Sequence, residues 1–377
     1  MTCPRLEVDL HKLRHNTKTL AKRLQTRGIG LTAVTKAVRG HPAIARAMLD
    51  GGAVGLAEAR LSNVKRLRQA GIRSPITLIR TPMLSQVDDI VHLCDTSYNT
   101  EMSVISALAV AAMRQNTVHG IILMVEMGDM REGIMPHDLG DMARHVMDTP
   151  GVVLTGIGTN FACLSGIAPT AAKMRAFSAL ADDIEVQCGP LLETVSGGNS
   201  ANLPWAFGTH ATGRINDLRI GEALLLGVDP LTGTPIDGLF QDAFTLVAEV
   251  IETDAKSLRP FVSYADITLA GIRLVPDSRD ATRIILAIGY QDTDADGLSI
   301  PSGHRFIGAT SDHLVLGTTG TNGTTTHGVG SQMRFQMNYS ALMRTMAAPD
   351  IPTKLLNDRS APHARDVQGP IEHLARV

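Results

Sequence analysis

Eight short apolar runs recur between residues 30 and 228, separated by amphipathic stretches. They are Leu31–Thr35, Ala53–Ala57, Ile76–Ile79, Thr96–Tyr98, Ile121–Val125, Val152–Gly158, Leu192–Ser196 and Leu218–Ile220. Short apolar runs that alternate with helical periodicity read as buried strands joined by crossover helices. Such crossovers demand parallel pairing. Ile44, Ala47 and Met48 share one helical face, as do Leu61, Val64 and Leu67. An earlier helix from His11 to Arg23 puts Leu10, Leu13, Thr17, Leu20 and Leu24 on one stripe. Eight β/α units in about 200 residues predict a (β/α)₈ barrel. A doubly wound open sheet is the competitor, because a strand count does not establish closure.

The pattern changes after Val228. Asp229-Pro230-Leu231-Thr232-Gly233-Thr234-Pro235 reads as a linker. Beyond it lie β-like runs at Phe244–Ile251, Arg283–Ala287, His304–Gly308, Leu314–Leu316 and Met333–Met337. The expected organisation is a barrel over 1–228 and a smaller, mostly β domain over 229–377. The Gly/Thr-rich stretch 317–326 reads as a loop tip without chemistry.

Composition narrows the function. A net charge of −2 without a long basic run argues against nucleic acid and anionic membranes as partners. The N-terminus has no apolar signal region, and no run is long enough to span a bilayer. Four dispersed cysteines without a C-x-x-C fit a reducing cytoplasm.

Barrel chemistry sits at the C-terminal ends of the strands, and those ends are polar in this chain. Lys36 closes the first run. A lysine there either sends its head to solvent or serves as a Schiff-base former. Arg131 follows the fifth run and could donate to an oxygen anion, or belongs to a surface turn of mixed charges; Asn160 follows the sixth and offers a donor and an acceptor, or is a satisfied turn asparagine. Ser196-Gly197-Gly198-Asn199-Ser200-Ala201 follows the seventh and suits a phosphate. Arg219-Ile220-Gly221-Glu222 closes the eighth, where a second glycine backbone could complete a phosphate cup and the arginine hold a ring nitrogen, or the arginine is a salt-bridged surface residue. In the β domain, Tyr290 ends an apolar strand, and Ser311-Asp312 lies in a polar turn. Lysine, phosphate cup and ring-nitrogen arginine together suggest pyridoxal 5′-phosphate.

These residues resemble the fold-type III, pyridoxal phosphate-dependent amino-acid racemases of the alanine racemase/ornithine racemase family. The resemblance covers nearly the whole chain. The wording of Met127-Gly128-Asp129-Met130-Arg131-Glu132-Gly133 and Ala309-Thr310-Ser311-Asp312-His313-Leu314 is closer to the ornithine racemase-like branch. The resemblance implies a homodimer that interconverts L- and D-amino acids by a two-base mechanism. Lys36 holds the cofactor and serves one face of the substrate, and Tyr290 of the partner subunit serves the other. Arg131 lies near the cofactor phenolate, and Asn160 replaces a histidine that packs on the pyridine ring. Ser196, Gly198, Ser200, Gly221 and Glu222 (through its backbone) match phosphate-binding positions. Arg219 matches the arginine on the pyridine nitrogen. Arg131, Ser311 and Asp312 are the substrate-side candidates. The tyrosine that alanine racemases carry shortly after the lysine is missing.

The branch suggests ornithine, lysine or a similarly long side chain, with broad specificity including alanine and serine left open. Asp129, Glu132, Asp292, Asp294, Asp296 and Asp312 are candidates to meet a cationic side chain. No metal is expected, because His304, His313 and His327 form no compact ligand pair in sequence. The alternatives are a D-threonine aldolase or D-serine dehydratase type of lyase, and a non-catalytic pyridoxal phosphate-binding protein.

Overall fold

The first and last of the eight apolar runs are hydrogen-bonded neighbours: Gly30 pairs with Asp217 and Thr32 with Arg219, in parallel. In this computed structural model, which describes residues 3–189, 192–255, 282–318 and 327–356, that pairing closes the sheet. Strand β1 (Arg5–Asp9) lies outside it. The barrel is β2 (Gly30–Val34), β3 (Gly55–Glu58), β4 (Ile76–Leu78), β5 (Thr96–Asn99), β6 (His119–Val125), β7 (Val152–Thr159), β8 (Thr194–Ser196) and β9 (Asp217–Ile220), each beside the next. Closure explains the apolar runs. A strand covered by helices outside and by packed side chains inside has no face for water, and all seven residues of β6 are buried.

The crossover helices present the stripes expected of them. Leu13, Leu20 and Leu24 of helix Leu10–Gln25 are fully buried, as are Ile44 and Met48 of Pro42–Asp50. Each such side chain contributes roughly 1.5–3 kcal/mol relative to exposure. Asp9 starts the first helix by accepting from the Lys12 backbone N–H at 3.0 Å.

The second unit is an antiparallel sheet of β10 (Phe244–Ala255), β11 (Thr282–Leu286), β12 (Leu298–Ser299), β13 (His304–Ala309), β14 (Leu314–Thr318) and β15 (Gln332–Met337), in the order β12-β15-β10-β11-β14-β13. The β-like runs of the sequence correspond to all of these except β12. The structure adds β1, which runs antiparallel to β10 and parallel to β16 (Thr353–Leu356). The N-terminal strand therefore sits in the β domain's sheet, although its sequence position precedes the barrel. Leu6 and Val8 bury their side chains completely. Glu7 between them accepts from Arg5 at 2.9 Å, Arg334 at 2.6 Å and Lys354 at 3.3 Å. Burial alone would raise its pKa, but bonds from Arg334 and Arg5 outweigh that and bring it down to about 2.

Gly317 and Thr318 of the Gly/Thr-rich stretch finish β14; its residues 319–326 lie outside the described residues. Among the described residues, no helix is long and apolar enough to cross a membrane.

Candidate active site

Lys36 stands two residues beyond β2, and the chain around it is fixed. Thr35 donates its hydroxyl to Glu58 at 2.9 Å, and its N–H reaches the Ala57 carbonyl at 3.0 Å. Glu58, at the end of β3, also accepts from Asn63 at 3.1 Å and from the Ala59 N–H at 2.9 Å. Ala37 and Val38 are fully buried. Lys36 itself is exposed, but into a cavity of about 650 Å³ at the C-terminal ends of the barrel strands. Arg131, Asn160, Ser200, Arg219, Gly221 and Glu222 line the same cavity. Five strand ends far apart in sequence thus converge on one space, as the fold requires.

Arg219 is a buried cation held on several sides. It is 5% exposed. Nη1 donates to Ser196 Oγ at 2.5 Å and to the Tyr98 hydroxyl at 3.2 Å, and Nη2 donates to the Thr159 carbonyl at 2.7 Å. The guanidinium also lies 4.8 Å from the centre of the Tyr98 ring. Behind it, Asp217 accepts from Ser196 at 2.5 Å and from Thr32 at 2.6 Å. Burial raises the Asp217 pKa, against the pull of those bonds and of Arg219. Among the described residues no acceptor bonds to Arg219 Nε, so that N–H and the second N–H of Nη2 are left over. The Tyr98 ring fits because residue 158 is glycine: a Cβ there would come within 2.4 Å of Tyr98 Cε1.

The anion-binding turn divides. Ser200 lines the cavity, and its Oγ accepts from the N–H groups of Gly221 and Ala223, both at 3.3 Å. The bond ties the turn after β8 to the turn after β9. Glu222 opens helix Glu222–Leu226, so its N–H has no partner within the helix. Ser196 and Gly198 do not line the cavity, contrary to expectation. Ser196 is fully buried and spends its hydroxyl on Asp217 and Arg219. Gly198 is needed for space instead: its φ is +135°, and a Cβ would meet Asn202 Oδ1 at 2.2 Å. Asn199 and Ala201 line the cavity in their place.

Asp129 is buried and serves as a staple between two loops. Its carboxylate accepts from the N–H groups of Cys163 at 2.9 Å and Leu164 at 3.0 Å, and from Asn160 Nδ2 at 2.8 Å. Burial would raise its pKa, but these bonds bring it below the ordinary value. Asn160 completes the tie by accepting from Asn199 Nδ2 at 3.0 Å. Asp129 is thereby removed from the carboxylates that could meet a cationic substrate. Arg131 reaches the cavity rim, where Glu132 holds it in a bidentate pair with Nη2 at 2.5 Å.

Tyr290, Ser311 and Asp312 are not among the residues lining this cavity. As a base Tyr290 would want a cation beside it, and the charged groups that act on it among the described residues are carboxylates. Burial raises its pKa, and Asp296, which accepts its hydroxyl, and Asp294 push the same way. Ser311 donates to its neighbour Asp312 at 2.5 Å. His304 and His327, which sequence spacing keeps apart, approach to 5.3 Å between ring centres. Among the described residues, no group of three or more His, Cys, Asp or Glu could hold a metal ion.

Three cavity or support residues escape the sequence reading. Arg80 lines the cavity after β4, and the criterion that selects Lys36 (a cation just past an apolar run) selects it as well. Tyr98 is hidden inside a run that reads as core. Tyr339 begins helix Tyr339–Thr345 of the β domain and reaches the cavity across the domain junction. Burial, then the nearby Glu222 carboxyl, raises its pKa.

Residues 8–229 match the family model described as alanine racemase, N-terminal domain. The chain is 34% identical to the lysine racemase of Thermotoga maritima over 359 residues, covering 93% of this chain and 97% of the relative. It is 30% identical to the ornithine racemase of Acetoanaerobium sticklandii over 355 residues, covering 94% and 99%. Among solved structures, alanine racemase from Streptomyces coelicolor A3(2) superimposes with a TM-score of 0.73 over 94% of this chain and 98% of its own, at 20% identity, a likeness of fold. Barrel, β domain, strand-end residues and full-length relatives agree: the chain belongs to the alanine racemase family.

Proposed function

We propose that this chain is a pyridoxal 5′-phosphate-dependent racemase of basic amino acids, of the lysine and ornithine kind, that works as a homodimer. The observation that carries the reading is the convergence of Lys36, Arg219 and the Ser200–Gly221 turn on one cavity. The residues fit the cofactor. Lys36 would offer the amine for its aldehyde, Arg219 keeps unspent donors, Nε–H among them, for the pyridine nitrogen, and Ser200 and Glu222 would offer a hydroxyl and a backbone N–H for its phosphate beside Gly221, whose own N–H is held by Ser200. When bound, the cofactor supplies an electron sink for charge developing at the substrate Cα.

The protein's part is to move one proton on each face. Lys36 Nζ serves one face. Tyr290 of the partner subunit serves the other; support comes from its absence from the lining of its own chain's cavity. Arg219 does not give up a proton, so the nitrogen it faces stays unprotonated and the sink stays weak. A weak sink would favour return of a proton to Cα over side reactions. Tyr98, Ser196, Thr159 and Asp217 act by holding Arg219 in place.

Polarimetry on the holoenzyme tests the reading. L-Lysine and L-ornithine should lose their rotation without loss of total amino acid, and dialysis against EDTA should leave the rate unchanged. Consumption of the amino acid, or a rate abolished by EDTA, favours a lyase and overturns it.

A further inference from the structure

Glu222 has a side chain that the phosphate reading does not use. It lines the cavity with Lys36 and also a second cavity of about 620 Å³, with Pro230 and Tyr339 shared between the two. Glu222 therefore stands where the two spaces meet. Its carboxyl feels the Lys36 ammonium, and it also feels Asp229. Among the described residues, no side chain donates a hydrogen bond to it or forms an ion pair with it.

The other nearby carboxylates are engaged. Asp129 staples two loops, and Glu132 holds Arg131. Asp242 is paired with Lys12 at 2.5 Å, Asp296 takes the Tyr290 hydroxyl, and Asp229 accepts from the Leu231 N–H at 2.8 Å. Asp292, Asp294 and Asp312 line neither cavity. A half-buried carboxyl without a donor is unfavourable, and burial pushes that of Glu222 up to about 7. An ammonium is the group that would satisfy it, because it brings three donors and the opposite charge.

We infer that Glu222 is the specificity-determining residue of this site: its carboxylate receives the side-chain ammonium of a basic amino acid whose Cα lies at Lys36. The inference rests on the racemase reading above and names the group that selects the substrate. An uncharged side chain of similar length leaves Glu222 unpaired and is discriminated against on that ground.

The test compares wild type, Glu222→Gln and Glu222→Asp as holoenzymes on L-lysine, L-ornithine and L-norleucine. Glu222→Gln should lower the lysine-to-norleucine ratio of kcat/KM by about 100-fold, chiefly through the KM for lysine. Glu222→Asp should restore part of that ratio. Cofactor affinity, read from an absorbance titration, separates this effect from damage to the phosphate turn. Equal losses on lysine and norleucine in Glu222→Gln overturn the inference. So does a wild type that turns over norleucine as well as lysine, and in that case the racemase reading stands. A wild type inactive on every amino acid removes both.

Discussion

Lys36→Ala is expected to lower racemisation in both directions by about 10⁴-fold or more. The absorbance of lysine-bound cofactor should vanish with it. The size follows from two roles in one side chain, attachment of the cofactor and proton transfer on one face. The fold should be untouched. Thr35 is held by Glu58, and Ala37 and Val38 are buried independently of the Lys36 side chain, which lies in open space. Thermal unfolding should therefore stay within about 0.5 kcal/mol of wild type. A variant that keeps more than a hundredth of the activity in a stereochemical assay is incompatible with Lys36 as the base.

Tyr290→Phe is expected to cost about 10³-fold in net racemisation. The loss must be equal in both directions. Enantiomers have the same free energy, so the equilibrium constant is one and the two values of kcat/KM are bound together. Direction shows itself in another measurement. In D₂O, the enantiomer that presents its α-hydrogen to Lys36 should keep exchanging it, and the other should stop. Proton NMR on each pure enantiomer reads this directly. Equal loss of exchange from both would assign Tyr290 to binding and leave the second face without a base. Asp296 and Asp294 raise the phenol's pKa, so a Tyr290 that acts as a base would need a cation from the proposed site of the partner subunit.

The barrel was legible because parallel strands buried on both sides are continuous apolar runs, and their lengths bound the helices between them. Strands β1 and β16 were not. Each is short, and its partners are settled only by tertiary pairing, as with Leu6 opposite Leu246 and Thr353. In the site, Lys36, Arg131, Asn160, Ser200, Arg219, Gly221 and Glu222 could be found because barrel topology sends every strand end to one face. Ser196 and Gly198 could not be separated from Ser200 by sequence. They share one turn, and only the geometry turns Ser196 towards Asp217. Tyr339 had no local mark, since a tyrosine at a helix start in another domain gives no hint that it lines the cavity of Lys36. The acidic partner of a basic substrate was equally hidden. Many carboxylates lie near strand ends, and only their hydrogen bonds tell which are already engaged.

The proposed site combines Lys36 of one chain with Tyr290 of another. Mixing the two inactive variants, Lys36→Ala and Tyr290→Phe, after dissociation and reassociation tests it most directly. A mixed dimer has one site with both lesions and one with neither. Random reassociation makes about half of the dimers mixed, so the mixture should recover about one quarter of wild-type racemisation. A mixture of exchanged subunits that stays as inactive as its two parents would contradict the shared site.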